Sequence, residues 1–99
     1  MPDPIIENGV IILRASSSAN IKKLASAIYA VFTSKEYHQG VQLRALGASA
    51  VNQAFKSVII ARRDLAPLGY DLKIRPFFLT ENNEHGEEKS IACMELIPK

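Results

Sequence analysis

Two short segments hold small polar residues of the kind that receive a phosphate oxygen. Ser16-Ser17-Ser18-Ala19-Asn20 and Gly47-Ala48-Ser49 each stand just before a run of helical periodicity. The first N–H groups of a helix lack partners and carry the positive end of its dipole, a geometry suited to an anion. Taken alone, the serines read equally as ordinary N-caps. Lys22 and Lys23 beside the first segment, and Lys56 one turn beyond Asn52, supply the positive charge that an anion site needs. Asn52, Lys56, Ile59 and Arg63 fall in one narrow stripe when counted at about 100° per residue. Such a stripe can track a polyanionic backbone, Lys and Arg meeting phosphates while Asn52 or Gln53 donates to a sugar or base edge. It reads equally as a solvated face or a seam between subunits. Ile60 is expected on the polar side of the same helix, where it would mark a second subunit. Arg62 projects near the apolar stripe, with its head paired to Asp64 or Asp71 or aimed at a ligand.

Other chemistries find little support. His38 and His85 fall in predicted loops far apart in sequence and read as surface histidines. Cys93 reads as a small apolar strand residue. The glutamates between positions 81 and 88 lack EF-hand spacing and any His/Cys cluster. Gly47-Ala48-Ser49 lacks the glycine spacing and the Lys-Ser/Thr pair of a nucleotide-binding loop. No catalytic residue, metal site or cofactor is therefore expected. The third possibility for the Gly47 junction is a small anionic ligand such as a nucleotide or phosphate ester.

The chain has 99 residues, 47% of them hydrophobic, with 12 Lys plus Arg against 10 Asp plus Glu. That length makes one domain, able to bury roughly 60 to 65% of its unfolded surface. A disulfide framework is excluded, because Cys93 has no partner within the chain. The opening residues lack a basic region and no apolar run approaches a membrane span, so a cytoplasmic protein with no membrane association is expected. The net charge of +2 conceals a gradient. Residues 1–40 hold four basic and three acidic groups, residues 41–79 six and two, and residues 80–99 two and five. The middle is basic and the end acidic.

The elements that must position these groups follow from periodicity. Val10-Ile11-Ile12-Leu13 reads as a buried strand between Asn8-Gly9 and the serines. Ile21, Leu24, Ala25, Ile28, Val31 and Phe32 form the apolar face of a helix expected to end between Glu36 and Gly40. Val41 to Leu46 alternates as a second strand, and Gly47 breaks it. A second helix carries Val51, Ala54, Phe55, Val58, Ala61 and Leu65 on one stripe and stops at Pro67 and Gly69. Tyr70 to Arg75 alternates again, and Pro76 marks that strand as an edge, a bulge or a bend. Residues 80–88 read as a hairpin connection before a last strand, Lys89 to Ile97. The order is βαβαββ. The expected fold is α+β, a two-layer sandwich in which two helices cover one face of a four-stranded mixed sheet. Arg44, Lys73 and Arg75 would lie on the other face. Residues 1–9 are read as an N-terminal extension and 10–99 as the single domain.

Leu46-Gly47-Ala48-Ser49-Ala50-Val51-Asn52-Gln53-Ala54-Phe55-Lys56, followed by Ile60-Ala61-Arg62 and Ala66-Pro67, resembles the stage V sporulation protein S family. The Ser17-Ser18-x-Asn20 segment, Asp71-Leu72 and Gly86-Glu87-Glu88 extend the resemblance over about residues 11–98. It implies an Alba-like fold, whose element order agrees with the periodicity. It further implies a small homodimeric nucleic-acid-binding or gene-regulatory protein linked to sporulation or development, with DNA or RNA as partner. The residues expected to bind are Ser17, Ser18, Asn20, Lys22, Lys23, Arg44, Gly47, Ser49, Asn52, Gln53, Lys56 and Arg63. In Alba proteins the last hairpin is a basic arm, whereas here Glu81, Glu84, Glu87 and Glu88 make it acidic and repelled by phosphate. The chain also departs from the family in carrying Arg63-Asp64 in place of a glycine and a bulky apolar residue. The alternative reading is a dimeric protein-interaction regulator of the same fold that binds no nucleic acid.

Overall fold

A computed structural model describes residues 5–34 and 40–99. The apolar run Val10–Ala15 forms strand β2, and the alternating Gly40–Ala45 forms β3, paired with it in parallel from Val10↔Gly40 to Ala15↔Ala45. Between them runs helix α1, Ile21–Thr33, and after β3 comes α2, Ala48–Leu65. Strands β4 (Lys73–Asn82) and β5 (Glu88–Ile97) make an antiparallel hairpin, and β5 inserts beside β3. A short strand β1, Ile5–Glu7, adds a fifth member, so the sheet order is β1-β2-β3-β5-β4 rather than the four strands expected. Its cause is Asn8-Gly9, both at positive φ (52° and 83°), which close a tight hairpin of β1 on β2.

Both helices lie on one face. Leu13, Ala15, Val41, Leu43, Ala45, Met94 and Leu96 point toward them and meet Leu24, Ala25, Ile28, Ala54, Val58, Ala61 and Leu65 in one core. Alternation along each strand sends Ile12, Arg14, Gln42, Arg44, Ile91, Cys93, Glu95, Lys73 and Arg75 to the opposite face. The alternation read in β3, β4 and β5 therefore sorts these residues as expected. Pro76 is tolerated because β4 is an edge strand.

Several boundaries differ from expectation. Helix α1 closes at Thr33, with Ser34 already extended. The Thr33 hydroxyl donates back to the Tyr29 carbonyl at 2.8 Å, and the Tyr70 hydroxyl donates to the Phe32 carbonyl at 2.8 Å, tying the end of the helix to the segment after α2. The expected end near Glu36 to Gly40 falls largely outside the described residues, as do His38 and Lys35. The connection expected over 80–88 shrinks to a turn, because pairing continues as far as Asn82↔Glu88. The Asn83 side chain builds that turn, its Oδ1 accepting from the backbone N–H of His85 and Glu87, both at 2.9 Å. Helix α2 stops as expected, through a 3₁₀ turn at Ala66–Leu68 containing Pro67 and a left-handed Gly69.

Candidate nucleic-acid interface

The parallel pairing of β2 with β3 puts both strand-to-helix junctions at one end of the sheet, since each strand ends in register at Ala15↔Ala45. There they border a cleft of about 700 Å³. Ser16 to Asn20, Lys23 and Leu24 form one wall, Arg14, Arg44, Ala45 and Leu46 the floor, and Glu81 to Asn83, Lys89 and Ile91 of the β4–β5 hairpin the other wall. Of the expected binding residues, Ser17, Ser18, Asn20, Lys23 and Arg44 meet in this cleft. Gly47 and Ser49 are exposed at the start of α2 but do not line it.

At the first junction the serines do not cap the helix. Asn20 does, its Oδ1 accepting from the Lys23 N–H at 3.0 Å. Ser16 and Ser18 stand in the turn ahead of it with their hydroxyls 3.4 Å apart, and the Ala19 N–H donates to the Ser16 carbonyl. At the second junction Gly47 is the cap residue without a side-chain bond, at φ 93°. That leaves the first N–H groups of α2 without a side-chain acceptor from the cap.

The two helices run side by side in the same direction, tied by side chains whose structural part the periodicity did not reveal. Gln53 donates through Nε2 to the Ala19 carbonyl at 2.9 Å. The buried Ser57 hydroxyl lies 2.8 Å from the Gln53 carbonyl and 3.2 Å from that of Ile21. Gln53 is thus engaged in holding the first junction. Its neighbours Asn52, Lys56, Ile59 and Arg63 form the exposed stripe that the spacing predicts. Two neighbours of the stripe are exchanged relative to expectation. Phe55 is 50% exposed rather than part of the core, whereas Ile60 is packed against the core on the side toward α1. Ile59, 53% exposed, is the apolar residue that stands out on the polar face. Across a shallow groove from Arg63, Asp64 and Pro67 stand Ser26 and Tyr29 of α1, and Lys22 occupies the same shoulder one turn earlier.

Ion pairing divides the basic residues into two groups. Arg62 reaches Asp71 at 3.8 Å, Arg63 reaches Asp64 at 3.2 Å, Lys73 reaches Asp71 at 3.5 Å and Arg75 reaches Glu95 at 2.9 Å. Arg44, with its side chain only 11% exposed, lies 3.8 Å from Glu7 and 3.9 Å from Glu81, and its Nε and Nη2 both donate to Gln42 Oε1. Arg14 shares Glu81 at 3.9 Å. Lys22, Lys23 and Lys56 are exposed and join no ion pair among the described residues. Glu81 does not belong to the acidic tip, as the sequence reading had it, but turns back onto the two arginines of the cleft. Arg14 is absent from the residues expected to bind, yet it precedes Ala15 as Arg44 precedes Ala45, and that repeated Arg-Ala at the ends of two strands is its signal in the sequence.

No group of three metal-ligating side chains occurs among the described residues, and no helix among them is long and apolar enough to cross a membrane. Cys93 is buried, and burial pushes its thiol above the ordinary value of 9.0 against the opposing pull of Arg44.

A family model described as Stage V sporulation protein S matches residues 11–98. The chain belongs to the stage V sporulation protein S family. Among solved structures, Alba from Thermoplasma volcanium is similar with a TM-score of 0.55 and 19% identity, over 86% of this chain and 94% of that one. At that identity the likeness establishes the fold, and this member of the family is Alba-like in architecture, with β1 as a fifth strand.

Proposed function

We propose that this protein is a non-enzymatic nucleic-acid-binding or gene-regulatory protein, linked to sporulation or development, that acts in the cytoplasm as a homodimer. The observation that carries the reading is the exposure of Lys22, Lys23 and Lys56 without acidic partners on the helical layer, beside Asn52 and the first turns of both helices. Lysines held free of carboxylates release counterions when they meet phosphates, which is the main source of sequence-independent affinity for DNA or RNA. Asn52 adds a polar group able to reach a sugar or base edge from the same face. A subunit offering so few free cations binds loosely at physiological salt, so the homodimer doubles the contacts.

Fluorescence anisotropy with labelled DNA and RNA at two salt concentrations tests this reading. Binding is expected at low salt, with a steep loss at high salt and a uniform weakening in Lys56→Glu whatever the sequence. Absence of binding to either polymer at low salt overturns it. Exposure of Phe55 and Ile59 together on one flank of Lys56 favours the second reading, in which this stripe is a protein contact. That alternative predicts loss of self-association in Ile59→Asp with no polymer binding in the parent protein.

A further inference from the structure

The cleft at the strand-to-helix junctions differs from the helical stripe in shape and charge. At about 700 Å³ it lies within the size range of small-molecule sites, whereas a polymer backbone is tracked by an open face. Arg14, Lys23, Arg44 and Lys89 line it with Glu81 as the carboxylate among them, for a net charge of +3. Lys23 and Lys89 join no ion pair among the described residues, so half of this positive charge is uncommitted. Leu24, Leu46 and Ile91 supply apolar wall beside the cations.

We propose that this cleft binds a small phosphate ester of mononucleotide size, and that Glu81 is the resident counter-ion which the phosphate displaces. Glu81 sits 3.9 Å from both Arg14 and Arg44, long for a charge-assisted contact, so its carboxylate balances two guanidiniums without a short bond to either. A phosphate dianion brings more oxygens and more charge to the same place and meets both arginines together with Lys23 and Lys89. Arg44 needs no reorganisation to receive it, because Gln42 and Glu7 already hold its guanidinium from the other side. The apolar wall accepts the body of the ester. This assignment does not rest on polymer binding at the helical stripe, although Lys23 borders both surfaces.

Isothermal titration calorimetry with adenosine monophosphate, adenosine and inorganic phosphate tests it, alongside an adenylate oligonucleotide series. Saturable one-to-one binding of the monophosphate is expected, with adenosine silent and no gain in per-site affinity from added length. Glu81→Gln removes the competing charge while keeping the shape and is expected to tighten the monophosphate by roughly two- to fivefold, the size of one exposed ion pair. Arg14→Gln is expected to weaken it by a similar factor, and circular dichroism checks that both exposed substitutions leave the fold intact. No saturation by the monophosphate up to about 5 mM, or an unchanged or weaker affinity in Glu81→Gln, overturns the proposal. Binding only of the longer oligonucleotides also overturns it while leaving the helical stripe as the nucleic-acid surface.

Discussion

Cys93 and Ser57 show how much a single side chain decides in a sheet-and-helix layer this thin. Ser57 is fully buried, and its hydroxyl answers two carbonyls, one of them at the start of the neighbouring helix. An apolar residue in that position would remove this side-chain tie between the two helices. Cys93 lies on the face away from the helices yet is 1% exposed, flanked in the sheet by Arg44 of β3 and Phe77 of β4. Burial keeps its thiol protonated above the ordinary value of 9.0. The unfolded chain ionises at that ordinary value, so above it the folded state holds the extra proton and stability falls as pH rises. Denaturation midpoints in urea are expected to fall between pH 8.5 and pH 10 in the parent and to stay flatter in Cys93→Ala, when each is compared with its own value at pH 8. A slope of equal size in both proteins would assign the loss to other groups.

At the scale of elements, Gly47 is the hinge on which β3 becomes α2. Its φ of 93° belongs to a region that L side chains rarely adopt, and a Cβ added there would meet nothing within 4 Å. Gly47→Ala therefore costs conformational energy alone, about 1–3 kcal/mol. Gly40→Ala, at an ordinary φ with Val10 Cγ2 4.0 Å from the new Cβ, is expected to be nearly neutral, and urea denaturation of the pair separates backbone strain from crowding. The break at Gly47 is legible in the sequence, as are both helices and the faces of β3 and β5, because each follows from a local period or a single residue's backbone preference, whereas Pro76 leaves edge, bulge and bend open until the sheet order makes β4 an edge. Phe55 and Ile60 are not legible. Both flank the apolar stripe of α2, and which flank is covered depends on where α1 lies, since Ile60 faces that helix with Gln53 and Ser57 while Phe55 faces away. The Asn8-Gly9 pair carried a hairpin signal for β1 that served only as a strand boundary. The cleft was half legible: the junction residues announce it, but Glu81 reaches it through a hairpin whose register no local pattern specifies.

For the whole molecule, the distribution of charge matters more than its sum of +2. The basic middle of the chain is largely spent internally, since Arg44, Arg62, Arg63, Lys73 and Arg75 all reach carboxylates. The acidic end is divided as well: Glu81 and Glu95 serve as internal partners, while Glu84, Glu87 and Glu88 stay exposed around the end of a hairpin whose strands are ten residues long. Among the described residues of the helical layer, Lys22, Lys23 and Lys56 stay outside any ion pair, while the equally unpaired Lys89 stands apart on the hairpin. Three phosphate contacts on duplex DNA correspond to a slope of log affinity against log salt of about −3, and a homodimer engaging both copies to about −5. Lys56→Gln removes one contact per subunit and is expected to make the slope shallower by about 1 in a monomer and about 2 in a dimer. Glu84→Gln with Glu87→Gln is expected to leave the slope where it is, because those side chains neutralise none of the three lysines. Anisotropy titrations across a salt series read all three proteins on the same axis. A slope that Lys56→Gln leaves unchanged, or one that the hairpin substitutions steepen, would move the polyanion from the helices to the β4–β5 end of the molecule.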